Sequence, residues 1–155
     1  MSVVSQIGLK HEEGNGPTRA SSTALDRFER RYKVKLPASY RAMLMEVNGG
    51  TPTAWRVIRN RRAISGINAF FFLGRAHDDV SVDRDWDYEN LHDETAIAQQ
   101  TLKMGLVPFA NDGAGSLFAF VPPKMSVVLV DSADATNLTQ IADDFDALIG
   151  MMSKK

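Results

Sequence analysis

Apolar residues recur at helical spacing in three segments of the chain. In the first segment, Leu25, Phe28 and Tyr32 fall at positions i, i+3 and i+7. This spacing predicts an amphipathic helix, which Ser22 or Thr23 can cap. A helix near the end of the chain, capped by Asp143, has an apolar stripe formed by Phe145, Leu148, Ile149 and Met152.

The remaining helix is expected to begin at Leu36-Pro37. Proline is tolerated in the first turn of a helix, because its missing N–H would have no partner there in any case. Tyr40 and Leu44 belong to the buried stripe of this helix. We expect it to end at Asn48-Gly49-Gly50, since Asn and Gly readily take the left-handed conformation that closes a helix.

Between these helices the pattern is typical of short strands. Pro108 indicates an edge or the start of a strand, because it has no backbone donor. In the turn at 111–115, Gly113 and Gly115 allow positive φ, and Asp112 is expected to bond the local backbone. Helices that bracket these strands predict an α+β fold, mainly an antiparallel sheet flanked by helices. The strand segments are 55–58, 67–73, 106–110, 116–121 and 127–130.

The chain has 155 residues, which is the usual size of one domain. The stretch 11–17 is polar and contains Gly and Pro, as loosely held segments often do. We therefore expect a flexible arm over residues 1–20 and one domain over residues 21–155. The acidic segment 78–94 predicts a loop followed by an irregular helix that extends towards Leu102.

No apolar run in the chain is longer than the one at 69–73, and this run is far shorter than the roughly 20 residues of a membrane-spanning helix. The N-terminus also lacks the pattern of a signal peptide. These features predict a cytoplasmic protein without a membrane partner. The same run could form an exposed edge that supports a dimer, but a buried strand is the favoured interpretation. Monomer and dimer both stay open.

The amino-acid composition excludes several kinds of functional site. The absence of cysteine excludes disulfides, thiolate metal sites and a cysteine nucleophile. The net charge of −1 argues against a general nucleic-acid binder, but the charges are unevenly distributed. Residues 1–76 carry 13 Lys and Arg against five Asp and Glu, and residues 77–155 carry five against 14. If the fold separates these halves, the surface has a dipole that can steer a charged partner.

Motifs for catalysis are missing from the sequence. The glycine turn has no Gly-Lys-Ser/Thr ending, and there is neither a Gly-x-Ser-x-Gly elbow nor a His-Glu-x-x-His pattern. We therefore predict no enzyme activity and no catalytic, cofactor or metal site. We expect His11, His77 and His92 at the surface. The arginines at 56, 59, 61 and 62 favour a solvated hairpin, or a patch paired with the acidic segment, over nucleic-acid binding.

Four segments in order resemble the SUKH superfamily, which includes yeast cell-wall assembly regulators, bacterial Syd-like proteins and many toxin-immunity proteins. They are 36–50, 72–74, 106–118 and 141–148. One departure is Ala114-Gly115-Ser116, where similar proteins often have Gly-Gly-Asn. The motif residues, which we expect to be structural, are Leu36, Pro37, Tyr40, Asn48, Gly49, Gly50, Gly74, Pro108, Phe109, Asp112, Gly113, Gly115 and Phe145.

The resemblance implies an α+β protein-interaction module with no common catalytic apparatus. Bacterial members are commonly immunity proteins against nuclease or other toxins, whereas the yeast-like members suggest a regulatory scaffold in cell-wall or signalling processes. The acidic segment is either a solvated face or a binding site for a protein partner such as a basic toxin domain. Its candidate residues are Asp78, Asp79, Asp83, Asp85, Trp86, Asp87, Tyr88 and Glu89.

Overall fold

A computed structural model describes residues 1–13, 16–74, 90–101, 103–131 and 133–154. The helices are α1 (Val3–Ile7), α2 (Ser22–Tyr32), α3 (Ala38–Glu46), α4 (Leu91–Ala96, continued by a π-helical turn, Ile97–Thr101) and α5 (Phe145–Gly150). The strands are β1 (Leu9–Lys10), β2 (Thr51–Pro52), β3 (Arg56–Arg59), β4 (Arg62–Gly66), β5 (Ala69–Phe70), β6 (Val107–Asn111), β7 (Leu117–Val121), β8 (Ser126–Val130), β9 (Leu138–Ala142) and β10 (Met152–Ser153).

The strands form antiparallel sheets. The largest has the order β5-β6-β7-β8-β9, the next has the order β10-β3-β4, and β1 pairs with β2. The predicted α+β fold, with antiparallel sheets and flanking helices, is confirmed. Pro108 lies at the second position of β6, beside a β-bulge between Pro108 and Ala110, which is a place where a strand tolerates proline.

Local capping sets where the helices begin. Ser21, one residue before the predicted caps, accepts a hydrogen bond from the backbone N–H of Ala24 at 3.1 Å. Asp144 caps α5 in the same way, rather than the predicted Asp143, by accepting from the N–H of Ala147 at 2.7 Å. The predicted apolar stripe of α2 is buried, and so are Phe145, Leu148 and Ile149 of α5. Met152, the last position predicted for that stripe, lies beyond the helix in β10 and is only half-buried.

An aromatic cluster forms the centre of the core. The rings of Phe109 and Phe120 stack at 4.1 Å between centroids. Tyr40 and Phe145 approach the Phe120 ring edge-on, at 5.1 and 5.9 Å. The run 69–73 is buried throughout, which agrees with the buried-strand interpretation rather than an exposed dimer edge.

The fold extends into the segment that we expected to be a loose arm. Ile7 and Leu9 are buried in the main core, and Leu9 lies opposite Pro52 in the β1–β2 pair. Val3 and Val4 pack against the same core, so residues 3–10 belong to the domain, although this apolar pattern is too short to predict the packing from the sequence. The boundary at residue 21 itself stays a prediction.

The prediction that all three histidines lie at the surface is wrong for His92, which is buried. Its ring lies 5.1 Å from that of Phe28, and the Tyr32 hydroxyl donates to the His92 carbonyl at 3.0 Å. His11 is half-buried, with Nδ1 at 3.0 Å from the Asn48 carbonyl. His77 lies outside the described residues.

The buried Tyr40 hydroxyl has no hydrogen-bond partner within the described residues. We predict that Tyr40→Phe raises the free energy of unfolding by about 1 kcal/mol, because it removes an unsatisfied polar group and keeps the ring. Urea unfolding measures this. Tyr40→Ala is the control and should cost about 3–5 kcal/mol through the cavity it leaves. A loss of stability in Tyr40→Phe would show that the hydroxyl is bonded.

Burial raises the pKa of Tyr40 above its ordinary value of 10.0. The unfolded chain therefore releases this proton first, so the stability contribution is complete below pH 10 and is lost as the pH rises above it. Burial also raises the pKa of Tyr32. We predict that the free energy of unfolding falls above pH 10 by up to about 1.4 kcal/mol per pH unit for each such tyrosine. Urea titrations at several pH values should show a shallower fall in Tyr40→Phe, and parallel curves would contradict this.

Candidate interaction surfaces

The acidic candidate residues lie outside the described residues, but the structure shows how the chain is fixed on either side of them. The backbone N–H of Gly74 donates to Asn90 Oδ1 at 3.0 Å. The N–H of Leu91 donates to the Phe72 carbonyl at 2.7 Å. Residues 75–89 are therefore flanked by two positions that are bonded to each other. Whether Asp78, Asp79, Asp83, Asp85, Trp86, Asp87, Tyr88 and Glu89 bind a partner stays a prediction.

Asn90 and Gly74, the residues on either side of 75–89, are suited to these positions for different reasons. The Asn90 side chain is fully buried and caps α4, where its Oδ1 also accepts from the N–H of His92 at 3.2 Å. At Gly74 a Cβ would lie 2.7 Å from a ring carbon of Phe72, which is too close for a larger residue. The motif glycine is thus required by close packing.

The motif asparagine, Asn48, joins three parts of the chain. Its Nδ2 donates to the carbonyls of Pro17 at 2.8 Å and Leu73 at 3.1 Å. Its Oδ1 accepts from the N–H of Leu73 at 2.8 Å. Beside it, a Cβ at Gly49 would lie 2.9 Å from the Phe70 carbonyl oxygen. These residues hold the fold together and present no surface to a partner.

The remaining motif residues lie in the interior or its margins, apart from the glycine turn. Leu36, Tyr40, Phe109 and Phe145 are buried in the main core. In the turn after β6, Asp112 Oδ1 accepts from the N–H groups of Ala114 at 2.8 Å and Ser116 at 2.9 Å. The prediction that Asp112 bonds local backbone is confirmed. Because the carboxylate occupies these donors, they are not directed at an external anion.

Trp55 is an exposed aromatic residue at the start of the predicted strand 55–58. Half of its surface, 50%, is accessible. Its ring lies over Gly66, where a Cβ would come within 2.8 Å of Trp55 Cε3, and its carbonyl accepts from the N–H of Ile67 at 2.7 Å. The guanidinium of Arg56 lies 5.9 Å from the ring centroid. Because Gly66 has no side chain, the indole packs directly on the backbone there, and this contact gives it a defined position on the surface.

A cleft of about 420 Å³ adjoins this indole. Thr51, Asn68 and Asp112 supply polar groups to its lining, and Trp55 supplies an aromatic wall. Small-molecule sites usually combine a few polar groups with aromatic and apolar side chains, but apolar side chains form a larger part of their lining than they do here. In the sequence, the only hint of this cleft is a tryptophan next to Arg56. The pairing of Arg56 with Gly66 on the neighbouring strand is seen in the structure alone.

The arginines that follow Trp55 lie on the β3–β4 hairpin, and whether they pair with the acidic segment stays a prediction because residues 75–89 lie outside the described residues. Asn60 and Arg61 have φ of 53° and 65°, as in the two-residue turns that suit twisted hairpins. Arg59 Nη1 donates to the carbonyl of Gln140 in β9 at 3.3 Å. Within the described ranges, ion pairs join Arg41 to Asp26 and Glu29, and the hairpin arginines take part in none.

Two general features bear on the class of protein. Among the residues that the structure describes, there is no group of three or more His, Cys, Asp or Glu side chains placed to hold a metal ion. No helix in that part of the chain is long and apolar enough to cross a membrane.

Comparison with known proteins identifies one family. The model of the SMI1/KNR4 family (SUKH-1) matches residues 19–151. No curated protein matches the chain. The match begins near the start of α2, so residues 3–10 pack against the core from outside the matched region.

The packing of the Trp55 indole on Gly66 can be tested by substitution. In a Trp86→Phe background, where Trp55 is the only tryptophan, Gly66→Ala should displace the indole, raise its quenching by iodide and cost about 1–3 kcal/mol of stability. Gly105→Ala is the matched control, because nothing lies within 4 Å of a Cβ at that position. Equal quenching in the two variants would contradict this packing.

Proposed function

Because the chain belongs to the SMI1/KNR4 family (SUKH-1), we propose that it is a non-enzymatic, cytoplasmic protein-binding domain. More specifically, we propose an immunity protein that neutralises a nuclease-type toxin by occupying its active cleft. The observation that carries this proposal is the family match over residues 19–151, since bacterial SUKH proteins are commonly toxin-immunity proteins.

The acidic segment supports a basic partner. A cleft that binds nucleic acid must be cationic, so an acidic inhibitor can fill it and gain association rate from electrostatic steering. Trp86 and Tyr88 lie within the acidic run and belong to the residue types that often anchor interfaces. Gly74 and Asn90, which flank residues 75–89, are bonded to each other, so the two ends of the acidic segment meet the domain at one place.

The carboxylates that line clefts in the described residues are bonded to other groups of the protein, which supports a binding function rather than catalysis. A cleft between α2 and the 122–123 turn includes Asp26 and Glu29, but both carboxylates bind the guanidinium of Arg41. Asp112, in the cleft beside Trp55, is engaged by its own turn. General acid–base catalysis needs a carboxyl or imidazole that is aimed at a substrate, and these groups are aimed at the protein.

A regulatory scaffold is the second candidate. A scaffold needs more than one interaction surface, and Trp55 with its neighbouring arginines is a surface of opposite charge to residues 78–89. The two candidates are distinguished by the partners that the protein retains in cells.

The test is co-purification of the tagged protein from its native cells, followed by mass spectrometry at low and high salt. We expect a basic toxin in equal amount at low salt and less of it at high salt, because screening weakens exposed charge pairs. The triple variant Asp85→Ala, Trp86→Ala, Asp87→Ala should lose the toxin and keep its thermal midpoint. The purified toxin should regain nuclease activity when the variant replaces the wild-type protein.

The matched control is Glu12→Ala with Glu13→Ala, which removes two exposed negative charges elsewhere and should keep the toxin. Retention of the toxin by the triple variant would place the binding site away from residues 85–87. Recovery of only cell-wall or signalling proteins would favour the scaffold.

A further inference from the structure

Two groups of exposed charged side chains, each with exposed apolar residues among them, lie on the described surface. The basic patch consists of Trp55, Arg56, Arg59, Arg61, Arg62 and Ile64. Its apolar residues, Trp55 and Ile64, are 50% and 36% exposed. Protein interfaces combine exposed apolar side chains with charged ones, and Trp and Arg are among the residues that contribute most to binding there.

The acidic patch consists of Asp131, Asp134, Leu138 and Asp143. Leu138, at the start of β9, is 42% exposed. The stretch 131–146 contains five aspartates and no Lys or Arg. Within the part of the chain that the structure describes, no charged side chain of either patch takes part in an ion pair. The charge of each patch is therefore not neutralised by an ion pair within the described residues.

The two patches adjoin each other. Arg59, in the basic patch, donates to the backbone carbonyl of Gln140, which lies in β9 between Leu138 and Asp143. The side chain of Gln140 in turn donates to Asp143 Oδ1 at 3.0 Å. A positive patch and a negative patch thus lie side by side, each with exposed apolar surface.

Such a surface is complementary to itself. A two-fold axis places the same surface of two copies face to face. The basic patch of each copy can then contact the acidic patch of the other copy, which gives two equivalent contacts. We propose that a second copy of this chain docks here, with the basic patch of each copy on the acidic patch of the other. Trp55, Ile64 and Leu138 supply buried apolar area, and the charges orient the pair and speed its association.

The edges of the sheets indicate docking through side chains rather than strand addition. In the described residues, β4 and β9 are edge strands. The β3–β4 pair has a register shift between Val57 and Ile58, and Arg59 occupies a carbonyl of β9. Bulges and charged side chains at an edge oppose pairing with another strand.

Sedimentation velocity of the full chain tests the proposal without any toxin, so its result is independent of the proposed function. We expect a dimer at low salt that dissociates in about 1 M salt, where the Debye length is about 3 Å. A monomer at every concentration and salt level would overturn the proposal.

Charge exchange then identifies the surface. Arg59→Glu with Arg62→Glu, and Asp134→Lys with Asp143→Lys, should each raise the dimer dissociation constant by about tenfold or more, because like charges face each other twice. An equimolar mixture of the two variants should restore a heterodimer, since each patch then meets its opposite. The restored heterodimer also shows that both variants are folded.

Arg27→Glu with Arg30→Glu is the control, since it makes the same change in charge at exposed positions of α2 and should leave the dimer intact. A dimer that survives in both patch variants would overturn the proposed surface. Failure of the mixture to form a heterodimer would overturn the two-fold arrangement.

Discussion

The carboxamide of Asn48 holds together three stretches of chain that are distant in sequence. It follows α3 and bonds both to Pro17, ahead of α2, and to Leu73, beyond β5. The side chain is fully buried. Loss of the carboxamide would leave buried backbone groups without partners, and each such group costs about 1–3 kcal/mol. The positions of α2, α3 and β5 relative to one another therefore depend on this side chain.

The same connection extends to the acidic segment. Asn48 binds Leu73, and Asn90 binds the next residue, Gly74. Two buried asparagines thus clamp successive residues at the point where the chain enters residues 75–89. Gly49 and Gly74 permit the close packing around this clamp, since a Cβ at either position would collide with its surroundings. The interior of the domain therefore fixes where the acidic segment departs and returns.

Features that depend on neighbouring residues could be predicted from the sequence. The apolar stripe of α2, the start of α3 after Pro37 and the Asp112 turn all arise from contacts within a few positions. Long-range contacts escaped prediction. The apolar pattern of residues 3–9 is too short to indicate packing. His92 lies against Phe28 of α2, and Trp55 packs on a glycine of another strand. Of the proposed sites, the acidic residues were found by composition, whereas the Trp55 surface required the structure.

The motif residues and the charged surfaces respond differently to substitution, and this separates fold from partner. Asn48 and Gly49 are constrained by buried bonds and close contacts, so most changes there destabilise the domain. Exposed residues such as Arg62 and Asp143 make few contacts, and substitutions at such positions usually change stability by less than about 0.5 kcal/mol. Surface charge can thus be altered while the fold is kept. Specificity for the proposed partner must therefore come from charged and aromatic surface residues, which the shared motif does not determine.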